Sequence, residues 1–208
     1  FDRKWLSMPG AGAWFSILAR PAPDTLPAVA AADLVFVAAL AAAKALNERA
    51  NDAVRIKWPN DLVCGGRKIA GMLAEMRADG MSLAWAVVGI GVNLLGPAPS
   101  PDLPWAATLE SACGARIQPE DAAADIVRHF DDARALYQSA GLSAILSEIR
   151  PLSATLGKEI RVQGQTEAFT GFARDFAADG ALIVDTPDRG QTIVRAGDVS
   201  VRGLMGYV

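Results

Sequence analysis

A chain of 208 residues has room for one sizeable core and a small satellite module. With 51% hydrophobic and 21% charged residues it is too apolar for a disordered tail. A net charge of −3 argues against a protein that tracks nucleic-acid phosphates, so no nucleic-acid partner is expected. From the start of the chain, Trp14 to Arg20 reads as a short buried strand that runs into the rigid Pro21-Ala-Pro23. Asp24 or Thr25 then offers an N-cap and Pro27 a first-turn proline for an alanine-rich helix to Arg49, with Leu34, Val37, Leu40 and Ala41 on one face. Its longest apolar run, Leu34 to Ala43, has ten residues, whereas a membrane span needs roughly 20. The helix is therefore expected in a core, with no membrane partner.

Val54, Ile56 and Trp58 alternate with Arg55 and Lys57, which sends the two cations to the face opposite the large apolar side chains until Pro59 ends the strand. Leu62 to Cys64 and Lys68 to Met76 read as two arms of a hairpin whose Gly65-Gly66 supplies the positive φ of a tight primed turn. Leu83 to Leu95 is a further, largely apolar strand. Cys64 and Cys113 have no Cys-x-x-Cys partner and no histidine nearby, so neither a zinc site nor a disulfide scaffold is indicated, which fits a reducing cytoplasm.

Pro97 to Pro104 is a loop, and Gln118-Pro119-Glu120-Asp121 opens a helix carrying Ile126, Val127, Phe130, Ala133, Leu136 and Tyr137. Gly141 stops it, and Leu142, Ile145, Leu146 and Ile149 form one more amphipathic pair of turns before Pro151. Beyond Pro151 come short strands around Ile160, Phe169 to Phe172, Ala181 to Val184 and Gln191 to Val194, separated by Gly164, Asp179-Gly180 and Asp188-Arg189-Gly190. The expectation is an α+β fold: a mixed, mainly antiparallel sheet with helices over residues 1–152, then a small β-barrel over 153–208 that leans on it.

Several patterns bear on chemistry. Lys57, Asn60, Asp61 and Lys68 cluster around the Gly-Gly turn, although each has a plain reading: surface lysines, and a turn that bonds its own backbone. Gly89, Gly91 and Asn93 share one face of a strand at spacing two, leaving a bare backbone platform with an amide at its end, or else a place for tight packing. The same stretch is no dinucleotide fingerprint, because Leu94 stands where a third glycine belongs and no helix opens after it. His129 is the single histidine, and no Gly-x-Ser-x-Gly elbow occurs, so nucleophilic hydrolase chemistry lacks its parts.

Residues 55–76 closely resemble the signature of biotin protein ligases, in which Lys-Trp-Pro-Asn-Asp precedes a short turn and Arg-Lys-aliphatic-Ala-Gly. Gly89-Ile-Gly91-Val-Asn93 resembles the family's Gly-x-Gly-aliphatic-Asn strand, and Arg3-Lys4-Trp5 the end of its glycine- and arginine-rich loop, whose Gly-Arg-Gly-Arg part has no counterpart in this sequence. Leu156-Gly157, Asp179 to Leu182 and Gly197 to Arg202 resemble the family's C-terminal barrel. The resemblance implies a class II synthetase-like catalytic domain, an SH3-like barrel, and ATP-dependent ligation of biotin to a lysine of a carboxylase's biotin carboxyl carrier domain through biotinyl-5'-AMP. It implies catalytic roles for Lys68 and Lys57, and a biotin pocket of Lys68, Gly71, Met72, Leu73, Gly89 and Gly91. ATP would meet Arg3, Trp5, Lys57, Asn60, Asp61, Asn93, Asp198 and Arg202, with Asp61 on the Mg2+ side. The enzyme would be a cytoplasmic monomer or homodimer. A lipoate-protein ligase-like enzyme, or a module that senses biotin or its adenylate without ligating it, are the alternatives.

Overall fold

The computed structural model describes residues 8–21, 27, 30–164, 168–196, 200–203, 207 and 208. Arg3, Trp5, Asp198 and the expected caps Asp24 and Thr25 lie outside the described residues. Five strands, β1 (Gly12–Ala19), β2 (Val54–Lys57), β3 (Asp61–Cys64), β4 (Arg67–Asp79) and β5 (Ser82–Asn93), form one sheet in the order β1-β5-β4-β3-β2. Every neighbouring pair is antiparallel, which the short turns linking β2 to β3, β3 to β4 and β4 to β5 dictate for those three pairs. The sheet is thus less mixed than expected, with parallel pairing confined to single bridges such as Lys68 to Ala106.

Between Cys64 and Arg67 the turn glycines Gly65 and Gly66 take φ values of 56° and 74°, the primed geometry that matches strand twist. Alternation then divides the sheet into two faces. Val54, Ile56, Leu62, Ala70, Met72, Val88, Ile90 and Val92 are buried in the core on one of them. That face is covered by α1 (Ala30–Ala50), on which packs α3 (Pro119–Ile149). Held between sheet and helix, α1 is buried nearly all round instead of along the single stripe its sequence predicted. The same packing explains why a 21-residue helix apolar enough to cross a bilayer sits inside a protein core.

The charged residues of α1 meet α3, while Asn47 bonds the Val54 backbone at the start of β2. Lys44 pairs with Glu148 at 2.9 Å, Arg49 with Asp125 at 3.1 Å, and Asp33 accepts a 2.7 Å bond from the Tyr137 hydroxyl. His129 lies 2.7 Å from Glu48, so it is a helix-to-helix contact. α3 breaks at Gly141, whose φ of 72° ends one helical run before the next begins, as the pattern predicted. A short helix that the sequence reading missed, α2 (Leu109–Cys113), opens on a capping box between Thr108 and Ser111. β1 departs from expectation in burial: it is an edge strand, with Trp14 36% and Leu18 54% exposed.

The second sheet contains β6 (Glu159–Gln163), β7 (Ala168–Phe176), β8 (Leu182–Thr186), β9 (Gly190–Val194) and β10 (Ser200–Gly203), in the order β10-β6-β7-β8-β9. It is a meander whose last strand returns beside the first. Trp58 fastens it to the first sheet: its backbone N–H donates to Thr155 Oγ1 at 3.0 Å and its indole Nε1–H to the Gly180 carbonyl at 2.9 Å.

Candidate active site

Among the described residues, the face of the first sheet opposite α1 carries few large side chains at its centre. Across the strands, Lys57, Asp61, Gly71, Gly91 and Trp14 stand in one row, each in register with the next. Leu73, Gly89 and Ser16 form the neighbouring row, and Asn93 follows on the same face, buried, opposite Gly12. Leu73 is 63% exposed on this face. Two adjacent strands with glycine at the centre leave a strip of backbone that a flat ligand can approach, with Trp14 at one end and cations at the other.

Lys68 reaches this face through a β-bulge. Residues three apart on a regular strand point to opposite sides, so Lys68 and Gly71 would be separated by the sheet. The pairing of Leu62 with Ala70 but Val63 with Lys68 leaves Ile69 extra, and the shift turns Lys68 toward the side of Gly71. Its ammonium lies so close over Gly71 that a Cβ there would stand 3.1 Å from Nζ and 3.3 Å from Asp61 Oδ1. Nζ and Asp61 Oδ1 are 2.5 Å apart. The Lys68 backbone is gripped on both sides, its N–H donating to the Trp105 carbonyl at 2.7 Å and its carbonyl accepting from Ala107 at 2.8 Å. Such a lysine is held in place before any ligand arrives.

Around it the charge is mainly positive. Lys57 is buried, with its ammonium 4.2 Å from the centroid of the Tyr207 ring. The Tyr207 hydroxyl donates to Asp61 Oδ2, and the Arg202 guanidinium lies 4.9 Å from the same ring. A shallow cleft between the sheets is lined by Lys57, Thr155, Lys158, Arg202 and Tyr207 among others. Lys57, Lys68 and Arg202 thus gather around Tyr207 and Asp61, with Lys158 on the lining of the adjoining cleft, an arrangement suited to an anionic ligand that brings several charges.

Burial pulls the Lys57 ammonium down from lysine's ordinary 10.5 to about 8; Asp61 opposes this, while Arg202 and Lys68 add to it. The folded chain therefore gives up this proton at lower pH than the unfolded chain, so Lys57 burial costs stability below about pH 8 and the cost is relieved as pH rises from there toward 10.5. The ammonium charge itself is lost over the same rise. Capture of an anionic ligand through Lys57 is expected to weaken as pH rises through about 8. Lys57→Arg, which stays charged, is expected to remove that break; a pH profile of the ligand's kcat/KM checks it, and an unchanged break would assign it elsewhere.

One expected site residue lies on the other face of the sheet, and another has its side-chain NH2 already engaged. Met72 is in the core beneath α1, because alternation that puts Gly71 and Leu73 on the open face puts Met72 on the other. Its carbonyl accepts 2.8 Å from Asn60 Nδ2 and its N–H donates 2.9 Å to the Asn60 carbonyl. Asn60 thereby spends its amide bracing the turn after Pro59 against β4. Lys158, Tyr207 and Trp14 are residues the sequence reading missed. Tyr207 stands 146 positions from the carboxylate it bonds, and no local pattern encodes such a contact.

A family model for the biotin/lipoate A/B protein ligase family matches residues 1–93, and one for the biotin protein ligase C-terminal domain matches 155–202. The biotin–[acetyl-CoA-carboxylase] ligase of Paracoccus denitrificans is 32% identical over 207 residues, 97% of this chain and 84% of that protein. The chain belongs to the biotin protein ligase family. The bifunctional ligase/repressor BirA of Bacillus subtilis is 29% identical over 188 residues, and there the alignment takes in 89% of this chain but 57% of the relative, so the ligase family member described here spans little more than half of that protein. Biotin protein ligase from Aquifex aeolicus, solved in complex with biotin and ATP, shares the fold with a TM-score of 0.80 over 97% of this chain and 82% of its own, at 24% identity.

Proposed function

We propose that this chain joins biotin to a lysine of a carboxylase's biotin carboxyl carrier domain, with biotinyl-5'-AMP as the intermediate. The observation that carries the reading is the Lys68 ammonium set over Gly71, in register with Gly91 and beside Asp61. Biotin's ring system would lie on the glycine strip with Leu73 beside it, and its carboxylate would reach Lys68. The nucleotide's phosphates would lie toward Lys57, Lys158 and Arg202. Membership of the family supports the substrate choice, as does the name of the Paracoccus relative.

In the first step a biotin carboxylate oxygen attacks the α-phosphorus of ATP, and the bond from that phosphorus to the bridging oxygen breaks, releasing pyrophosphate. Two anions must meet for this. A fixed cation between them lowers the barrier because it stabilises charge as the two approach, with no reorganisation needed at the moment of reaction. Lys68 is that cation in this reading, and Lys57 and Arg202 stabilise the departing pyrophosphate. In the second step a carrier lysine, as the free amine, attacks the anhydride carbonyl; an amide forms, AMP leaves and the amine's proton is lost.

Mg2+ fits as a companion of the nucleotide. Among the described residues no three His, Cys, Asp or Glu side chains cluster as a metal site. One carboxylate, Asp61, matches what a Mg2+ carried on phosphates and still partly hydrated requires of a protein. When bound it would neutralise phosphate charge, with Asp61 as its protein ligand. The reaction would take place in the cytoplasm.

Isotope exchange between pyrophosphate and ATP tests the reading. Exchange is expected to require biotin and to ignore lipoate, and biotin is expected to pass onto a carrier domain. Exchange driven by lipoate would support a lipoate ligase, and tight adenylate binding without transfer would support a sensor.

A further inference from the structure

Lys57 and Asp61 face each other directly across β2 and β3, a pairing that ordinarily yields an ion pair. The carboxylate is engaged otherwise: Lys68 takes Oδ1 and the Tyr207 hydroxyl takes Oδ2. Among the described residues Lys57 has no carboxylate within 4.0 Å, and its ammonium rests on the Tyr207 ring instead. The Arg202 guanidinium lies against the same ring, with the Trp105 ring at 5.9 Å. Tyr207 therefore touches three of the charged groups at the cleft.

Close packing holds Tyr207 at this position. At Gly203, the last residue of β10, a Cβ would stand 2.3 Å from the Val208 backbone, so Val208 packs directly against the end of β10. Tyr207, its neighbour in sequence, bonds Asp61 of the first sheet. Both Tyr207 and Val208 line the cleft with Lys57, Lys158 and Arg202.

We propose that Tyr207 is a positioning residue of the nucleotide subsite: its hydroxyl occupies Asp61 and its ring carries Lys57, which keeps the Lys57 and Arg202 charges available for phosphate instead of neutralised by the carboxylate. The proposal rests on the reading of the cleft as the nucleotide's place. A ring face attracts an ammonium but carries no net charge, whereas Asp61, already paired with Lys68, would offset much of the Lys57 charge as well. Without the phenol, Oδ2 is free to take Lys57, and the subsite loses a cation.

Calorimetric titration of the intact chain with ATP and Mg2+, alongside KM values for ATP and biotin, tests this with Tyr207→Phe and Tyr207→Ala. Tyr207→Phe keeps the ring and the fold but lacks the donor, and is expected to weaken ATP binding about tenfold, the usual scale of a hydrogen bond to a charged group. Tyr207→Ala loses the ring as well and is expected to weaken it further. In both, KM for biotin is expected to stay as in wild type. ATP binding unchanged in both variants would overturn the proposal. Tighter binding would also overturn it, since the phenol would then be standing in the nucleotide's place. Wild-type protein that binds neither ATP nor biotin would instead defeat the reading on which the proposal rests.

Discussion

Replacing Lys68 with alanine is expected to slow biotin-dependent pyrophosphate exchange by about 10²- to 10³-fold, the usual cost of removing one preorganised electrostatic group, or about 3 to 4 kcal/mol of barrier. The fold is expected to survive. Asp61 keeps its hydrogen bond from Tyr207 and the nearby Lys57 charge, so deleting Lys68 leaves the carboxylate partnered. The Lys68 backbone bonds to Trp105 and Ala107 are unaffected by a change of side chain. Arginine is not expected to restore the rate, because its planar fork is larger than an ammonium and would have to fit the narrow space over Gly71 beside Asp61. Exchange at the wild-type rate in a folded Lys68→Ala protein would remove Lys68 from the chemistry.

Trp58→Ala is expected to cost about 3–5 kcal/mol of stability, the range for truncating a fully buried aromatic. The side chain is 2% exposed, and its indole supplies the donor for the Gly180 carbonyl in the second sheet. Alanine leaves a large cavity where the two sheets meet and an acceptor with no partner. For a chain of this size the loss corresponds to a fall in Tm of about 10 °C, measurable by circular dichroism. Trp58→Phe is expected to cost less, about 1–3 kcal/mol, because it refills most of the cavity but still abandons the Gly180 carbonyl. A Tm within a degree or two of wild type for the alanine variant would show that the second sheet is fastened by other contacts.

Much of this architecture was legible where a local rule suffices. The Gly65-Gly66 turn, the alternation of Val54, Ile56 and Trp58 against Arg55 and Lys57, and the break at Gly141 all follow from backbone preference and strand period. Alternation also placed Gly89, Gly91 and Asn93 on one face. The same rule, applied consistently, excludes Met72 from a pocket shared with Gly71 and Leu73, so that residue was misplaced against its own pattern. The bulge at Ile69 was not legible, because counting residues sends Lys68 to the wrong side of Gly71 until the partner strand's register is known. The all-round burial of α1 depends on α3 packing behind it, and edge or centre position for β1 depends on sheet order. Tyr207 and Lys158 enter the site from the second sheet and the segments beside it, which sequence spacing cannot bring next to β2 and β3.

In the proposed reaction the bare strip of Gly71 and Gly91 holds the vitamin while the ammonium at position 68 bridges its carboxyl group and the nucleotide. A crystal structure of this chain with biotinyl-5'-AMP measures that directly. The expected result is Lys68 Nζ within hydrogen-bonding distance of the acyl-phosphate linkage, with the fused rings over Gly71 and Gly91 and the adenylate phosphate toward Lys57. An adenylate bound away from this face, or a Lys68 side chain directed into solvent with the ligand in place, would contradict it.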